Sequence, residues 1–249
     1  MLLIDPHNPK SQKMADELSK LTDLSKLPAN INIVFGGDGW MLECIRNFGT
    51  QKTYFGINAG TLGFLMNSNR DLLSIIRCLE AQSWSEHSFP MLQVIGHSIH
   101  GNQINGFALN DIYVARIGGV AANLRIDIDD VNIVEKLVCD GLIVATALGS
   151  TAYSASAGGS PSHPLLPGMH ITPICPHMPR LRPFIIPDEA KIHIQILAHE
   201  RRKVQAVGDG FSYGEVNDVT ITRSQQAARI AFISDDHLTE RMVRKILHP

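Results

Sequence analysis

An acidic residue stands in a glycine-rich segment of the kind that binds phosphate. Residues 33–39 read IVFGGDG, and a helical pattern follows directly. A strand that leads through such a loop into a helix presents bare backbone N–H groups and the positive end of the helix dipole, which together bind anions. Gly36, Gly37 and Gly39 allow the backbone to approach a ligand closely. The pattern therefore predicts a phosphate-binding loop.

Asp38 is the residue of this loop that could do chemistry. A carboxylate in an anion-binding loop repels phosphate unless it serves a proton or a metal ion, and both uses suit phosphoryl transfer to a hydroxyl group. The loop contains no lysine, so a bound polyphosphate would need metal ions to offset its charge. The alternative is an Asp-Gly turn that only joins strand to helix.

A second glycine loop follows the next predicted strand. Residues 56–65 read GINAGTLGFL and include Asn58. Because loops that follow parallel strands share one edge of the sheet, the two loops could frame one phosphate site. A tight connection between a strand and a helix uses the same residue types and is the alternative.

Two further segments carry polar groups suited to a nucleoside. Asn110 and Asp111 interrupt a strand pattern in which both residue types are disfavoured, and their side chains can donate to and accept from amides, amines or vicinal hydroxyls. A turn between two shorter strands would also explain them. Residues 141–179 contain no Asp, Glu, Lys or Arg, which suits the lining of a large hydrogen-bonding pocket or, alternatively, a buried layer of loop and strand.

Within that uncharged stretch, residues 140–159 read DGLIVATALGSTAYSASAGG, a strand that leads into a turn of small residues and a short helix. Thr151, Tyr153 and Ser156 would project hydroxyl groups and an aromatic ring, while alanines such as Ala152 leave space for a flat heterocycle. The segment predicts a site for a nucleoside.

The elements that position these residues differ between the two halves of the chain. Up to about residue 85, strands alternate with helices, which predicts a parallel sheet, and from about residue 88 the patterns are strand-like with Gly and Asp turns. Strands are predicted at 2–4, 31–35, 54–57, 91–99, 104–114, 124–128, 131–144, 191–197, 203–207, 218–223 and 228–233, and helices at 11–25, 40–48, 71–81 and 239–247. In the last helix Met242, Val243, Ile246 and Leu247 share one face, which we expect to pack onto the first domain.

Composition excludes several classes of protein. The chain has 249 residues, of which 44% are hydrophobic, so it can bury a sizeable core. A formal charge of -2 argues against binding to nucleic acid or to an anionic membrane surface. The four cysteines form no C-x-x-C pair, which argues against a zinc ribbon, and we expect all four to be buried. With no signal peptide or membrane-spanning pattern, we expect a soluble cytoplasmic protein.

Six segments together resemble the bacterial NAD kinases in order and spacing over nearly the whole chain. They are GGDG at 36–39, GINAGTLGFL at 56–65, LND at 109–111, DGLIVATALGSTAYSASAGG at 140–159, ITPICPH at 171–177 and VGDG at 207–210. GGDG alone is shared with relatives of diacylglycerol, sphingosine and 6-phosphofructokinase enzymes, so the specificity lies in the set.

The resemblance implies an NAD kinase that transfers phosphate from ATP to the 2′-hydroxyl of the adenosine ribose of NAD, giving NADP, with a divalent metal, usually Mg²⁺. It implies a Rossmann-like parallel α/β domain followed by a β-sandwich, which we place at residues 1–87, with 238–249 packing back, and at 88–237. Asp38 would be the general base, and no residue is assigned as a metal ligand. The binding residues would be Gly36, Gly37, Gly39, Asn58, Asn110, Asp111, Asp140, Thr151, Ala152, Tyr153, Ser156 and Asp209.

The resemblance also implies a homodimer or homotetramer, with NAD and ATP as the bound molecules. The chain departs from the family where Asp111 replaces the usual Glu, and where residues 146–148 read Thr-Ala-Leu in place of Thr-Pro-Thr or Thr-Pro-Ser. Asp111 is one methylene shorter, and Leu148 lacks a hydroxyl. A lipid or sugar kinase with the same loop, or a nucleotide-binding regulator without turnover, are the alternative functions.

Overall fold

The computed structural model describes residues 1–60, 63–67, 71–233 and 238–247. The chain forms two compact units, Met1–Phe89 with Ala227–Pro249, and Pro90–Gln226. The helices are α1 (Pro9–Leu21), α2 (Asp38–Phe48), α3 (Leu72–Glu80), α4 (Tyr153–Ser156) and α5 (Leu238–Leu247). The strands are β1 (Leu2–Ile4), β2 (Ile31–Gly36), β3 (Thr53–Asn58), β4 (Trp84–Ser98), β5 (Gln103–Ala108), β6 (Asp111–Arg116), β7 (Ala122–Ile128), β8 (Val131–Cys139), β9 (Gly141–Thr146), β10 (Met169–Ile174), β11 (Phe184–Ile186), β12 (Ile192–Ile196), β13 (Val204–Gly208) and β14 (Phe211–Ile233).

The first unit is built on a parallel sheet, as predicted. β1, β2 and β3 lie side by side in chain order, and the end of β14 pairs in parallel with β3. Every residue of β2 and β3 is buried, because a sheet covered on both faces needs apolar side chains on both. The buried side chains of α1 and α3 join those of the sheet in one core.

β2 and β3 deliver the two glycine loops to the same edge of that sheet. Gly36 and Asn58, the last residues of the two strands, are partners in the parallel register. The N–H of Ala59 donates to the carbonyl of Gly36 at 2.9 Å, which continues the pairing beyond the strands. The predicted adjacency of the loops is therefore correct.

The second unit is an antiparallel β structure with two sheets. One contains β8, β7, β12 and β14 in that order, with β4 and β5 paired nearby, and the other contains β11, β10, β9, β6, β13 and β14. Buried residues from both sheets form a single hydrophobic core. An α/β unit and a β-sandwich unit confirm the predicted fold class.

Two predicted strands are broken in the structure, and two others are joined. The predicted strand 104–114 is interrupted at Leu109 and Asn110, and the predicted strand 131–144 is interrupted at Asp140. Conversely, 218–223 and 228–233 belong to the single strand β14.

The units also divide at residues other than the predicted ones. The first unit extends to Phe89 and resumes at Ala227, not at residue 238. The reason is that Ile230 and Ala231 pair with β3 and so belong to the parallel sheet.

The last helix contacts the rest of its unit through a face other than the expected one. The apolar residues expected to pack include Val243 and Ile246, but these are 47% and 44% exposed. Leu238 is buried instead, and the charged groups of Arg241 and Lys245 lie over phenylalanine rings of the first unit.

No helix in the described ranges is long and apolar enough to cross a membrane. Cys44, Cys78 and Cys139 are buried, as expected, but Cys175 is exposed. The expectation fails for Cys175 because it follows the end of β10, in a turn with φ of 46°.

Candidate functional site

The candidate site of the α/β unit is the start of α2. The helix begins at Asp38, and Gly37, in an extended conformation, occupies the position before it. A side chain added at Gly37 or Gly39 would meet nothing within 4 Å, whereas one at Gly36 would lie 2.8 Å from Trp40 Cδ1. Gly36 is therefore required by packing, while Gly37 and Gly39 leave open space in which a ligand could approach the backbone.

Two backbone N–H groups of the second glycine loop hold the carboxylate of Asp38. The N–H of Phe64 donates to Oδ2 at 2.8 Å, and that of Leu65 donates to Oδ1 at 2.9 Å. Each carboxylate oxygen can accept about two hydrogen bonds, so both retain accepting capacity. Asp38 is half-buried and fixed in orientation, as a group that must receive a proton from one direction should be.

The second loop thus has a function that its composition did not reveal: it positions Asp38. Gly63 is needed there, because a Cβ would lie 2.9 Å from the Met66 side chain. Asn58, a predicted binding residue, is buried, and its Oδ1 accepts from the N–H of Gly60 at 2.9 Å, which shapes the start of the loop. Thr61 and Leu62 of the predicted motif lie outside the described residues.

The β-sandwich unit has a candidate site of its own, which centres on the break between β5 and β6. The carboxylate of Asp209 accepts three successive backbone N–H groups there, from Leu109 at 2.6 Å, Asn110 at 2.8 Å and Asp111 at 3.2 Å. The N–H of Asp209 donates back to the carbonyl of Asp111 at 3.1 Å. Asp209, expected from the resemblance to contact the ligand, is bonded to the backbone of its own unit.

The side chains of Asn110 and Asp111 remain available for a ligand. Within the described part of the chain, neither side chain makes a hydrogen bond. Asp111 is 5% exposed, and its burial, together with the negative charge of Asp209, raises the pKa of the Asp111 carboxyl to about 7. A buried carboxyl with no partner is costly unless a ligand supplies a donor.

The Asn110 loop lies directly against the turn after β9. A Cβ on Gly149 would be 2.0 Å from the Asn110 carbonyl oxygen, so only glycine fits at that position. Thr146 Oγ1 donates to the carbonyl of Leu109 at 2.7 Å and accepts from the N–H of Gly149 at 3.0 Å. Two motifs nearly 40 residues apart are thereby joined.

The turn divides its side chains into structural and accessible sets. Ser154 is buried and shares a hydrogen bond of 2.8 Å with Thr172. Tyr153 is 40% exposed, with its ring edge-on to Tyr113 at 5.1 Å. The other predicted binding residues of this segment are also accessible in part or in full: Thr151, Ala152 and Ser156.

Asp140 is held in an ion pair, which the sequence did not predict. The Arg116 guanidinium donates to both carboxylate oxygens of Asp140 and also to the carbonyl of Gly118. Both side chains are about one-third exposed. A ligand that approaches Asp140 would therefore also meet the positive charge of Arg116.

The sequence as a whole was compared with known proteins. Residues 109–232 match the model of the ATP-NAD kinase C-terminal domain. The NAD kinase of Zymomonas mobilis is 35% identical, over 98% of this chain and 96% of the relative. That of Rhizobium meliloti is 34% identical, over 94% and 91%. The chain belongs to the NAD kinase family.

Solved structures of NAD kinases and an NADH kinase have the same fold. The yeast NADH kinase complexed with NADH superposes with a TM-score of 0.77 at 28% identity, covering 88% of this chain and 65% of that one. The NAD kinase of Archaeoglobus fulgidus in complex with ATP superposes with a TM-score of 0.78 at 23% identity, covering 99% and 98%. The membership of the NAD kinase family that the six motifs predicted is thus confirmed.

The structure also shows how this NAD kinase family member accommodates its two departures. Asp111 is the first residue of β6, buried, so the shorter side chain is held by the strand. Leu148 is 3% exposed and packs as a core residue before the 3-10 turn Gly149–Thr151. Leu148 thus contributes packing where a hydroxyl is usual.

Proposed function

We propose that this protein is an ATP-dependent NAD kinase. It transfers the terminal phosphoryl group of ATP to the 2′-hydroxyl of the adenosine ribose of NAD and so forms NADP. The observation that carries the proposal is the carboxylate of Asp38, which two backbone N–H groups hold in one orientation in the first turn of α2. Membership of the NAD kinase family supports it.

Asp38 acts as the general base. A ribose hydroxyl is too weakly acidic to ionise before attack, so its proton moves to an Asp38 oxygen while the bond from the ribose oxygen to the γ-phosphorus forms. The bond between that phosphorus and the bridging oxygen of the β-phosphate breaks, and its electron pair leaves with ADP. The open backbone at Gly37 and Gly39 offers N–H groups to the phosphates.

NAD is bound by polar groups of the β-sandwich unit, chief among them the side chains of Asn110 and Asp111, which make no hydrogen bond within the described residues. The Asn110 amide can donate and accept, and the ionised Asp111 carboxylate accepts from ribose hydroxyls. Thr151, Ala152, Tyr153 and Ser156 contact its rings and hydroxyls, and Asp140 contributes as a pair with its arginine. Asp209 acts on NAD only through the backbone that it holds.

Magnesium would be carried chiefly by the triphosphate. No group of three or more His, Cys, Asp or Glu side chains is gathered as a metal site within the described residues. This suits Mg²⁺, which keeps several waters and is usually bound by substrate phosphates with one or two carboxylates. Asp38 is the acidic residue of the loop that could serve as such a ligand, and the ion would offset the charge of the phosphates.

The test is turnover by the purified protein with ATP and Mg²⁺. Separate reactions contain NAD, NADH, diacylglycerol or fructose 6-phosphate, and the phosphorylated product is identified by mass spectrometry. We expect NADP from NAD. A phosphorylated lipid or sugar instead would favour the other kinases with this loop, and tight NAD binding with no product would favour a regulator.

The role of Asp38 is tested by Asp38→Asn, which keeps the shape and removes the proton acceptor. We expect kcat to fall by about 10² or more while the Kd for NAD is unchanged. Asp16→Asn, on the exposed face of α1, is the matched control and should retain full activity. Near wild-type kcat in Asp38→Asn would remove Asp38 from the mechanism.

The proposal includes a homodimer or homotetramer, which the resemblance to bacterial NAD kinases implies, and the cytoplasmic location expected from the sequence. Light scattering of the purified protein at micromolar concentration measures the assembly. A monomeric mass across the concentrations used for activity would contradict it.

A further inference from the structure

Helix α5 is attached to the loop that holds Asp38. Arg241 Nη1 donates to the carbonyl of Phe64 at 3.1 Å and also to the carbonyl of Met66. Its guanidinium lies over the ring of Phe232, 4.6 Å from the centroid. The N–H of Phe64 donates to the carboxylate of Asp38, and the carbonyl of Phe64 accepts from Arg241. Arg241 therefore helps to fix the residue that positions the candidate base.

Lys245 lies one turn further along the same face of α5. Its Nζ is 5.2 Å from the centroid of the Phe64 ring, and the side chain is half-buried. Burial lowers the pKa of Lys245, and the negative charge of Asp38 acts in the opposite direction. The ammonium group is therefore close enough to Asp38 to be affected by its charge.

Among the described residues, this ammonium group has no bonded counter-ion. No carboxylate lies within ion-pair distance of Lys245 in the described part of the chain, and no hydrogen bond from it is found there. A partly desolvated ammonium with three unused donors is unfavourable unless an anion binds to it. The Asp38 oxygens already accept from two N–H groups, which hold the carboxylate to the loop and not to the lysine.

The phosphate loop needs a cation of this kind. Its four residues, GGDG, bring a negative charge and no lysine to a site for polyphosphate. We infer that Lys245 binds the terminal phosphates of the nucleoside triphosphate, and that Arg241 holds Lys245 and the Asp38 loop in register. The cation absent from the loop is supplied by the C-terminal helix. This inference rests on the proposed function, because it assigns the donor side of that reaction.

The test uses Lys245→Met, which keeps the aliphatic stem and removes the charge, and Lys245→Arg, which keeps the charge. Affinity for ATP with Mg²⁺, in the absence of NAD, is measured by calorimetry, and kcat/KM is measured for each substrate. Lys245→Met should weaken ATP binding by about 10- to 100-fold, the usual range for one charged hydrogen bond. The Kd for NAD should stay within about twofold, and Lys245→Arg should keep most of the ATP affinity.

Arg244→Gln is the matched control, because Arg244 lies on the same helix but pairs with Glu240 and is exposed. Unchanged ATP affinity in Lys245→Met, equal weakening of ATP and NAD, or the same loss in Arg244→Gln would each overturn the inference. If Lys245→Met does not fold, Lys245→Gln, which also removes the charge, takes its place: a loss of ATP affinity no larger than that of NAD affinity would overturn the inference. A wild type that binds ATP but makes no NADP would refute the proposed function alone.

Discussion

The raised pKa of Asp111 predicts how NAD kinase activity depends on pH. Burial, and secondarily the charge of Asp209, raise the pKa of this carboxyl to about 7. If Asp111 binds the ribose as proposed, its ionised form accepts a charge-assisted hydrogen bond from a ribose hydroxyl, which is about twice as strong as the bond that the protonated form accepts. Since kcat/KM reports the free enzyme, kcat/KM for NAD should be constant above about pH 8 and fall about tenfold for each pH unit below 7.

Asp111→Asn removes the titrating group while keeping the size of the side chain. At pH 8 its kcat/KM for NAD should be about 10- to 100-fold below wild type, the loss of one charged hydrogen bond. At pH 5.5 the two proteins should approach each other, because wild-type Asp111 is then mostly protonated. The measurement is the initial rate of NADP formation from pH 5.5 to 9, at saturating ATP.

The same group makes a prediction for stability, with a definite sign. A pKa raised in the folded state means that the protonated form is favoured there, so stability is fully present below about pH 4 and is lost as pH rises to about 7. Asp111→Asn has no carboxyl to ionise, so it does not lose stability in this way as the pH rises. Without ligand, its free energy of unfolding relative to wild type should increase by about 3 kcal/mol between pH 5 and 8, at 1.36 kcal/mol per pH unit. Urea unfolding at both values measures it.

The control is Asp130→Asn, an exposed turn residue paired with Lys191 at a positive φ that Asn also adopts. This variant should preserve the fall in kcat/KM for NAD below about pH 7, here called the acid limb, and the dependence of stability on pH. A limb that stays near pH 7 in Asp111→Asn would refute the assignment of the pKa to Asp111. A wild-type profile with no limb above pH 5.5 would refute the reasoning from burial.

Two further substitutions test the loop around Asn110. Asp209→Asn keeps the turn conformation but removes the charge. We expect KM for NAD to rise about tenfold, kcat to change little, and the acid limb due to Asp111 to move to lower pH. An unchanged KM and an unchanged acid limb would contradict this. Gly149→Ala forces a Cβ to 2.0 Å from the Asn110 carbonyl oxygen and should cost about 3 kcal/mol or more in urea unfolding and abolish NAD binding. Gly119→Ala, where a side chain meets open space, should change unfolding by less than about 0.5 kcal/mol, and equal losses in both would contradict the clash.

Local sequence patterns predicted the parts of the fold that depend on local periodicity and on strand order. β2 and β3 are continuous apolar runs that end in glycine loops, and parallel pairing brings both ends to one edge. At Asn110 the structure shows the turn between two shorter strands that the sequence left open as the alternative, because polar residues are poorly suited to a strand interior. That the same residues bind a nucleoside stays a prediction.

Contacts between distant segments were not predictable in the same way. Asp209 binds N–H groups about 100 residues earlier in the chain, and backbone donors leave no trace in residue type. The face of α5 was predicted wrongly because apolar residues at helical spacing were taken as the buried side. The face that contacts the rest of the unit contains Leu238 and the residues three and seven positions later, Arg241 and Lys245. Sequence reasoning missed this face because charged residues are ordinarily expected to be exposed.

Two identical tripeptides show where sequence reasoning reaches its limit. Gly37-Asp38-Gly39 opens α2, with its carboxylate on two N–H groups of another loop, whereas Asp209 and Gly210 form a hairpin turn with φ of 47° and 79°. A carboxylate accepts about four hydrogen bonds. Asp38 has two of these places open and is half-exposed, so it can receive a proton. Asp209 accepts three backbone N–H groups, so most of its accepting capacity is used to hold the loop that contains Asn110. The partners of each carboxylate, and not the Gly-Asp-Gly sequence, are the reason why we propose Asp38, and not Asp209, as the general base.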